Sequence, residues 1–169
     1  VKFGISFTTT FLNQAGALVN IYKDGTILVN HGGTEMGQGL NTKIAQIAAA
    51  ELGVSLDRIK VNATNTSKVP NTSATAASAG TDLNGMAVKN AIDKLRSRIL
   101  KLMSAEFSKS NPQNPSREEN IIIQNNIISD SKNPERKMQF ADAMLLANLQ
   151  QVSLSATGFY ATPNVGWDK

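Results

Sequence analysis

The sequence predicts an α+β fold in which helices pack on one side of a mixed, mostly antiparallel sheet. Strand-like apolar runs occur near the start, in the middle and at the end of the 169 residues. Two longer runs repeat apolar residues at intervals of three and four, the period of an amphipathic helix. Elements of both kinds alternate along the chain, and its length suits about one domain.

A β-hairpin is predicted near the start of the chain. Two β-rich runs, residues 17–21 and 26–29, flank Lys23-Asp24-Gly25. Asp-Gly between apolar runs is the strongest local hairpin signal, because both turn positions must accept a positive φ.

Two amphipathic helices are expected after the hairpin. The first follows a glycine-rich turn and ends before Gly53, a residue type that favours the left-handed cap of a helix. The second begins near Asp82, which we assign as its N-cap. Their apolar faces are Leu40, Ile44, Ile47 and Ala48 in the first helix, and Val88, Ile92, Leu95, Ile99 and Leu102 in the second.

The other segments have weaker patterns. Residues 59–63 alternate as a short strand, and residues 108–119 form a polar loop with two prolines. Residues 121–128 indicate a strand pair or one bent strand, residues 140–149 a short helix, and residues 152–160 a strand. Residues 62–81 contain eight Ser or Thr, five Ala, three Asn and a single charge, Lys68. We interpret that segment as an ordered loop, since small residues with hydroxyls allow a ligand to approach the backbone.

Composition excludes several classes of site. The chain has no Cys and one His, which excludes thiolate metal centres, disulfides and a Cys nucleophile within it. The net charge of +4 is spread over both halves of the chain. The densest basic run belongs to the second helix, where a solvated polar face is favoured over nucleic-acid binding. Its members are Lys89, Lys94, Arg96, Arg98 and Lys101.

The glycine-rich turn, residues 32–39, matches neither the Walker loop nor the dinucleotide fingerprint. The turn still suits the general mode of binding at a helix N-terminus, in which unobstructed backbone N–H groups donate to an acceptor of the ligand. The Gln38 amide lies beside them and can both donate and accept. The Ser/Thr/Ala loop also leads into a helix. The chain therefore offers two uncharged candidate cradles for a large, polar ligand, and a freestanding module that binds a phosphorylated metabolite remains an alternative.

No catalytic constellation is evident from spacing. His31 has no recognisable partner and is expected to be structural. Glu35 suits a general base, but complementing the helix dipole is the preferred interpretation. Phe3, Phe7 and Phe11 recur every four residues and are expected to share one face. With the neighbouring threonines, they would suit the pocket of a flat heterocycle.

Several motifs together resemble the molybdopterin-binding domain of the xanthine dehydrogenase family of molybdenum hydroxylases. The match covers most of residues 1–90 and about the last fifteen, and it is weak over residues 104–150. The motifs are FGISFT at residues 3–8, FLNQAGA at 11–17, GGTEMGQGL at 32–40 with Thr42-Lys43, VPNTSATAAS at 69–78, DLNG at 82–85 and ATGFY at 156–160.

The resemblance implies that residues 1–169 are part of a molybdenum cofactor-binding domain in the large subunit of a cytoplasmic, oligomeric enzyme. It implies hydroxylation of hypoxanthine and xanthine to urate, with electrons passing through 2Fe-2S clusters and FAD, on other domains or subunits, to NAD. Phe7 and Thr8 would contact the purine. The implied cofactor contacts are Gln38, Lys43, Thr75, Ala77 and Ser78.

Two departures from the family pattern shape these expectations. Some members carry Ser at the position of Gly80, so one cofactor hydrogen bond is lost here or replaced by backbone. The general base of the family is a Glu in a Gly-Glu-Pro-Pro motif, which this sequence lacks. We therefore expect a piece of a larger enzyme that is inactive alone and ligates no metal itself. Aldehyde oxidase, or another molybdenum hydroxylase with a different substrate, is the alternative enzyme.

Overall fold

The computed structural model of the chain describes residues 10–68, 72, 74–76 and 78–164. Within them, seven strands and three helices confirm the predicted α+β class. The strands are β1 (Gln14–Ile21), β2 (Ile27–His31), β3 (Ile59–Val61), β4 (Ile121–Gln124), β5 (Ile127–Asp130), β6 (Asn133–Gln139) and β7 (Ser155–Ala161). The helices are α1 (Leu40–Leu52), α2 (Gly80–Ser108) and α3 (Phe140–Leu149).

The predicted hairpin supplies the two central strands of a four-stranded sheet with the order β3-β2-β1-β7. β1 pairs antiparallel with β2, where Val19 lies opposite Val29, and with β7, where Val19 lies opposite Ala156. β3 joins β2 in parallel, so the sheet is mixed. One face of β1 is fully buried because apolar residues alternate along it, at Ala15, Ala17, Val19 and Ile21.

Helix α2 packs against β1 and β7, and α1 packs against α2. All five apolar residues predicted for the α2 face are buried. The prediction that Asp82 is the N-cap was wrong, because α2 begins at Gly80 with Ala79 as its N-cap and Asp82 in the first turn. The Leu83 N–H donates to the Ala79 carbonyl oxygen, which extends the helix toward its N-terminus. Helix α1 ends as predicted, at a left-handed Gly53 with φ 66°.

A second sheet, with the order β4-β5-β6, is antiparallel throughout and packs against α3. The predicted strand pair is confirmed, and Asn125-Asn126 forms its turn with both φ values positive. Sequence reasoning missed β6 because its only fully buried side chain is Arg136, in place of an apolar residue. The Arg136 guanidinium donates to Ser116 Oγ at 2.8 Å and lies 3.9 Å from the buried carboxylate of Asp130, so its charge is paired inside the protein.

Asn126 joins the second sheet to the rest of the fold. Its Oδ1 accepts from the Ser55 backbone N–H at 2.9 Å and from Arg58 Nε at 3.1 Å. Its own N–H donates to the Gly53 carbonyl oxygen at 3.1 Å. Because Ser55 and Arg58 lie between α1 and β3, one turn residue fixes the second sheet against the end of α1.

The basic run of α2 is largely used within the fold. Asn90, Lys94 and Arg98 follow one another every four residues and donate to carbonyl oxygens of β7, an edge strand. The acceptors are Phe159 at 2.7 Å, Thr157 at 2.8 Å and Ser155 at 2.9 Å, respectively. Four helical residues rise about 6 Å and two strand residues span about 6.6 Å, so the two repeats match. These side chains cover the edge of β7.

Lys89 and Arg96 also differ from the solvated face that the sequence predicts, whereas Lys101 is exposed. Lys89 forms ion pairs with Glu51 at 3.2 Å and Asp93 at 2.9 Å. Arg96 donates to the Glu51 carbonyl oxygen at the end of α1, where the helix dipole stabilises a cation.

None of the helices in the described part of the chain is both long enough and apolar enough to cross a membrane.

Candidate functional site

Two segments that are distant in sequence meet at one cavity. The glycine-rich turn connects β2 to α1, and the Ser/Thr/Ala segment leads into α2. Between them lies a cavity of about 390 Å³, within the usual range of ligand sites, about 300–1,000 Å³. Its lining comes from both sides: Met36, Gln38, Leu40 and Lys43 from the first, and Thr75, Ala76, Ser78, Gly80 and Thr81 from the second. The two candidate cradles are therefore parts of one site.

A direct hydrogen bond holds the two sides together. The Thr34 N–H donates to Thr75 Oγ1 at 2.8 Å, across 41 residues of sequence. Beside it, a Cβ on Gly32 would lie 2.1 Å from Thr72 Cγ2. A side chain at position 32 would therefore force Thr72 to move, because the two segments approach so closely.

The amide of Gln38 folds over its own turn. Its Oε1 accepts from the Met36 N–H at 2.6 Å, and its Nε2 donates to the Thr34 carbonyl oxygen at 2.8 Å. Lys43 Nζ donates to the Gln38 carbonyl oxygen at 3.1 Å. A primary amide and an ammonium each form more hydrogen bonds than these. Both groups therefore retain capacity toward a ligand in the cavity.

Glu35 occupies the N-terminus of α1. Its Oε1 accepts from the N–H groups of Gly37 at 2.9 Å and Gly39 at 3.1 Å, and its Oε2 accepts from that of Asn41 at 2.9 Å. These bonds, first that of Asn41, lower the pKa of Glu35. The preferred interpretation of Glu35 is confirmed. The expectation of unobstructed N–H groups at this helix was wrong, because an internal carboxylate takes them.

His31 braces the same turn from inside the protein. The ring is 1% exposed, and burial lowers its pKa, so it is neutral near pH 7. The Gly33 N–H donates to Nδ1 at 3.1 Å, which places the ring proton on Nε2, 3.0 Å from Asn41 Oδ1. Thr64 Oγ1 donates to the Gly33 carbonyl oxygen at 2.6 Å. These contacts agree with the structural role expected for His31.

The α2 side of the cavity is built from small residues and from one buried amide. Ser78 adopts a left-handed conformation with φ 57° immediately before the helix cap. Behind the cavity, Asn84 is 4% exposed and its Nδ2 donates to the Gly80 carbonyl oxygen at 2.8 Å. Among the described residues its Oδ1 has no hydrogen-bond partner, and an orphaned buried acceptor is uncommon in a folded protein. It leaves a polar position beside the residues that line the cavity.

Four of the predicted site residues, Gln38, Lys43, Thr75 and Ser78, line this cavity. Phe7, Thr8 and Ala77 lie outside the described residues. Phe3 does too, so of the three phenylalanines expected to share one face only Phe11 is described. Phe11 is 72% exposed. Sequence reasoning did not select Met36, Leu40, Ala76 or Thr81, although each is adjacent or close to a selected residue in the same motif. Leu40 was selected only for the apolar face of α1, where it is buried.

The donor set is almost uncharged. Hydroxyls, amides and backbone groups surround the cavity, and Lys43 is the only cation that the described residues contribute to its lining. No group of three or more His, Asp or Glu side chains that would hold a metal ion occurs among the described residues. The arrangement of hydroxyls and amides suits a large polar ligand.

A larger open groove of about 660 Å³ lies beside the hairpin turn, at Tyr22, Lys23 and Asp24. It contains none of the predicted site residues and joins no two distant motifs. The smaller cavity is therefore the better candidate for a specific site.

Comparison with known proteins defines the class of this site. A protein-family model described as a molybdopterin cofactor-binding domain matches residues 1–169. The chain belongs to this family. Solved structures share the fold: quinoline 2-oxidoreductase from Pseudomonas putida 86 matches 90% of this chain and 19% of its own, with a TM-score of 0.79 and 24% identity. A CO dehydrogenase from Oligotropha carboxidovorans matches 90% of this chain and 19% of its own, with a TM-score of 0.76 and 23% identity.

Within the family, the chain is similar to xanthine dehydrogenases. It is 45% identical to that of Oryza sativa subsp. japonica over 99% of this chain, and 48% identical to that of Blastobotrys adeninivorans over 98%. It is also 48% identical to that of Dictyostelium discoideum over 98% of its residues. In each case the chain spans only 10% of the relative's length.

Proposed function

We propose that residues 1–169 contribute one wall of the molybdopterin site in a molybdenum hydroxylase of the xanthine dehydrogenase type. The observation that carries this proposal is the convergence of two motifs on one cavity, with Gln38, Lys43, Thr75 and Ser78 in its lining. Family membership and about 45% identity to xanthine dehydrogenases support it.

The residues present fit a pterin cofactor. A pterin is a flat, polar ring system with several acceptors and donors, and the cavity offers the Gln38 amide, three hydroxyls and backbone groups. Lys43 would meet an acceptor or an anionic group of the cofactor. The orphaned Asn84 Oδ1 leaves a further polar position beside the site. When bound, the cofactor supplies the two-electron redox chemistry, while this chain's residues hold and orient it; Ala77 belongs to the same proposed contact set.

The substrate proposal rests on similarity to xanthine dehydrogenases. We propose a purine, with hypoxanthine and xanthine converted to urate, and Phe7 and Thr8 as part of the pocket wall. Electrons would leave through 2Fe-2S clusters and FAD, on other domains or subunits, to NAD. Because this sequence contains no Gly-Glu-Pro-Pro, the general base would come from another part of a larger, cytoplasmic and oligomeric enzyme. Residues 1–169 alone would then be inactive.

Cofactor content tests the proposal directly. The full-length gene product is purified and its molybdenum is measured by mass spectrometry, with pterin measured by fluorescence after oxidative release. We expect both in similar molar amounts, and a clear loss of both in Gln38→Ala. Gln46→Ala makes the same change on an exposed position of α1 and should retain the cofactor. Absence of pterin from the unsubstituted protein, or equal pterin in the two variants, would contradict the proposed role.

A substrate panel separates the two enzyme alternatives. The holoprotein is assayed with hypoxanthine, xanthine and a set of aldehydes, with NAD or oxygen as acceptor. Urate formation with NAD reduction is the expected result. Turnover of aldehydes without purine turnover would favour an aldehyde oxidase, while leaving the cofactor proposal intact.

A further inference from the structure

The turn that carries Gln38 has little packing to hold it. Residues 35–38 are exposed. Gly37 and Gly39 are left-handed, with φ 99° and 74°, and a Cβ at either position would face open space. Two left-handed glycines separated by a single residue give an unpacked turn wide conformational freedom. Some other interaction must therefore fix the path of the chain here.

Glu35 provides that interaction. Both of its carboxylate oxygens are used, and together they bind the N–H groups of Gly37, Gly39 and Asn41 within 3.1 Å. The carboxylate thus bridges the turn and the first residues of α1. Hydrogen bonds to an ionised acceptor are stronger than neutral ones. The two flexible glycines are tied to one charged group.

The orientation of Gln38 depends on this bridge. Among the described residues, its side-chain amide is bound only to backbone of the same turn, at the Met36 N–H and the Thr34 carbonyl oxygen. Gln38 itself lies between the two glycines that Glu35 binds. If the turn changes its path, the Gln38 amide moves with it.

We infer that Glu35 is a positioning residue, which presets the Gln38 turn for the pterin. This inference rests on the proposed function. It assigns Glu35 a role in cofactor retention without contact between Glu35 and the cofactor.

The test uses Glu35→Gln in the full-length holoprotein. Glutamine keeps the size of the side chain. Its NH₂ group, however, cannot accept a hydrogen bond, whereas both carboxylate oxygens of Glu35 accept hydrogen bonds from backbone N–H groups. Glu51→Gln is the matched control, because it makes the same change at the other end of α1, in an ion pair with Lys89. Two quantities are measured: hydrogen exchange at the amides of residues 37, 39 and 41, and the rate of pterin loss.

For Glu35→Gln we expect faster exchange at these amides and about tenfold faster pterin loss, in line with the loss of charge-assisted bonds, with unchanged exchange in β1. Glu51→Gln should match the unsubstituted protein in both. If Glu35→Gln does not fold, Glu35→Asp replaces it, since it keeps the charge but shortens its reach. Chemical rescue by added formate of the Glu35→Ala variant, seen as slower pterin loss, supports positioning through the carboxylate.

Faster amide exchange with unchanged pterin loss would assign Glu35 a structural role only and overturn the inference. Unchanged exchange at residues 37, 39 and 41 would overturn it as well. Both results differ from failure of the proposed function, in which the unsubstituted protein itself contains no pterin.

Discussion

Gly158→Ala should separate helix α2 from strand β7. Gly158 lies in the middle of β7, opposite Ala17 of β1. A Cβ at this position would lie 1.9 Å from the Ala87 carbonyl oxygen and 2.6 Å from the Ala91 backbone nitrogen. Both are backbone atoms of α2, so no side chain can rotate away to make room.

The size of the effect follows from these distances. Extending the 1.9 Å contact to an ordinary 3.4 Å requires α2 and β7 to move apart by about 1.5 Å. A gap of about 1 Å already forfeits up to half of a van der Waals contact energy. The bond from the short Asn90 side chain to β7, now 2.7 Å, would exceed hydrogen-bond length, and the bonds from Lys94 and Arg98 would have to re-form in new side-chain conformations. We expect a loss of about 3–4 kcal/mol in the free energy of opening α2, combining overpacking with lost hydrogen bonds.

Native-state hydrogen exchange of the full-length gene product measures this free energy at α2 and β7 amides. Gly80→Ala is the matched control, because it is the same substitution at the start of α2, where the added Cβ meets its nearest atom at 3.4 Å. Replacing a helical glycine by alanine stabilises by about 0.5–1 kcal/mol, so the control should change in the opposite direction. A loss below about 1 kcal/mol for Gly158→Ala would refute the argument that the close approach is rigid.

Two further outcomes are expected from buried polar contacts. Burial lowers the pKa of His31 below its ordinary 6.5. The contribution of the neutral ring to stability is therefore complete above pH 6.5 and declines as the pH falls from there through the lower pKa of the folded state. His31→Gln should lack this decline in the opening free energy of β2, and an equal decline in both proteins would contradict the assignment. Asn126→Gly keeps the left-handed turn but removes the amide that binds Ser55 and Arg58, and should cost about 2 kcal/mol in unfolding by urea. Asn125→Gly, its control in the same turn, should stay within about 0.5 kcal/mol; similar effects of the two would show that the turn, not the amide, matters.

Local patterns predicted much of the fold. The hairpin around Asp24-Gly25, the left-handed Gly53 and the apolar face of α2 are each set by a few neighbouring residues and are confirmed. In the hairpin turn only Gly25 has a positive φ, whereas the prediction assigned one to both turn positions. In the predicted α1 face, Ile47 is only half-buried. Strand β6 could not be predicted in the same way. Its buried position is taken by Arg136, whose partner Ser116 comes from the preceding loop, so only the tertiary structure explains why a charged residue faces inward. The division into two sheets depends likewise on contacts such as those of Asn126.

The candidate site was predictable as two motifs but not as an arrangement. Small residues and hydroxyls near helix starts identified Gln38 and Ser78 as candidates, and the cavity brings them together. The interpretation of the basic run as a solvated face was incomplete, because the match between four-residue and two-residue repeats appears only once β7 is known to lie beside α2.

The expectation of a free helix N-terminus failed for a more general reason. A sequence shows that backbone N–H groups will be present at the start of a helix, but it does not show what accepts their hydrogen bonds. Here Glu35 reaches forward to Gly37, Gly39 and Asn41 because both glycines are left-handed and turn the chain around the carboxylate. An acidic residue two to six positions before such donors competes with any external anion. The cavity must therefore recognise its ligand through side chains and the α2 segment, which makes the orientation of Gln38, rather than the dipole of α1, the property that substitutions at this turn should change.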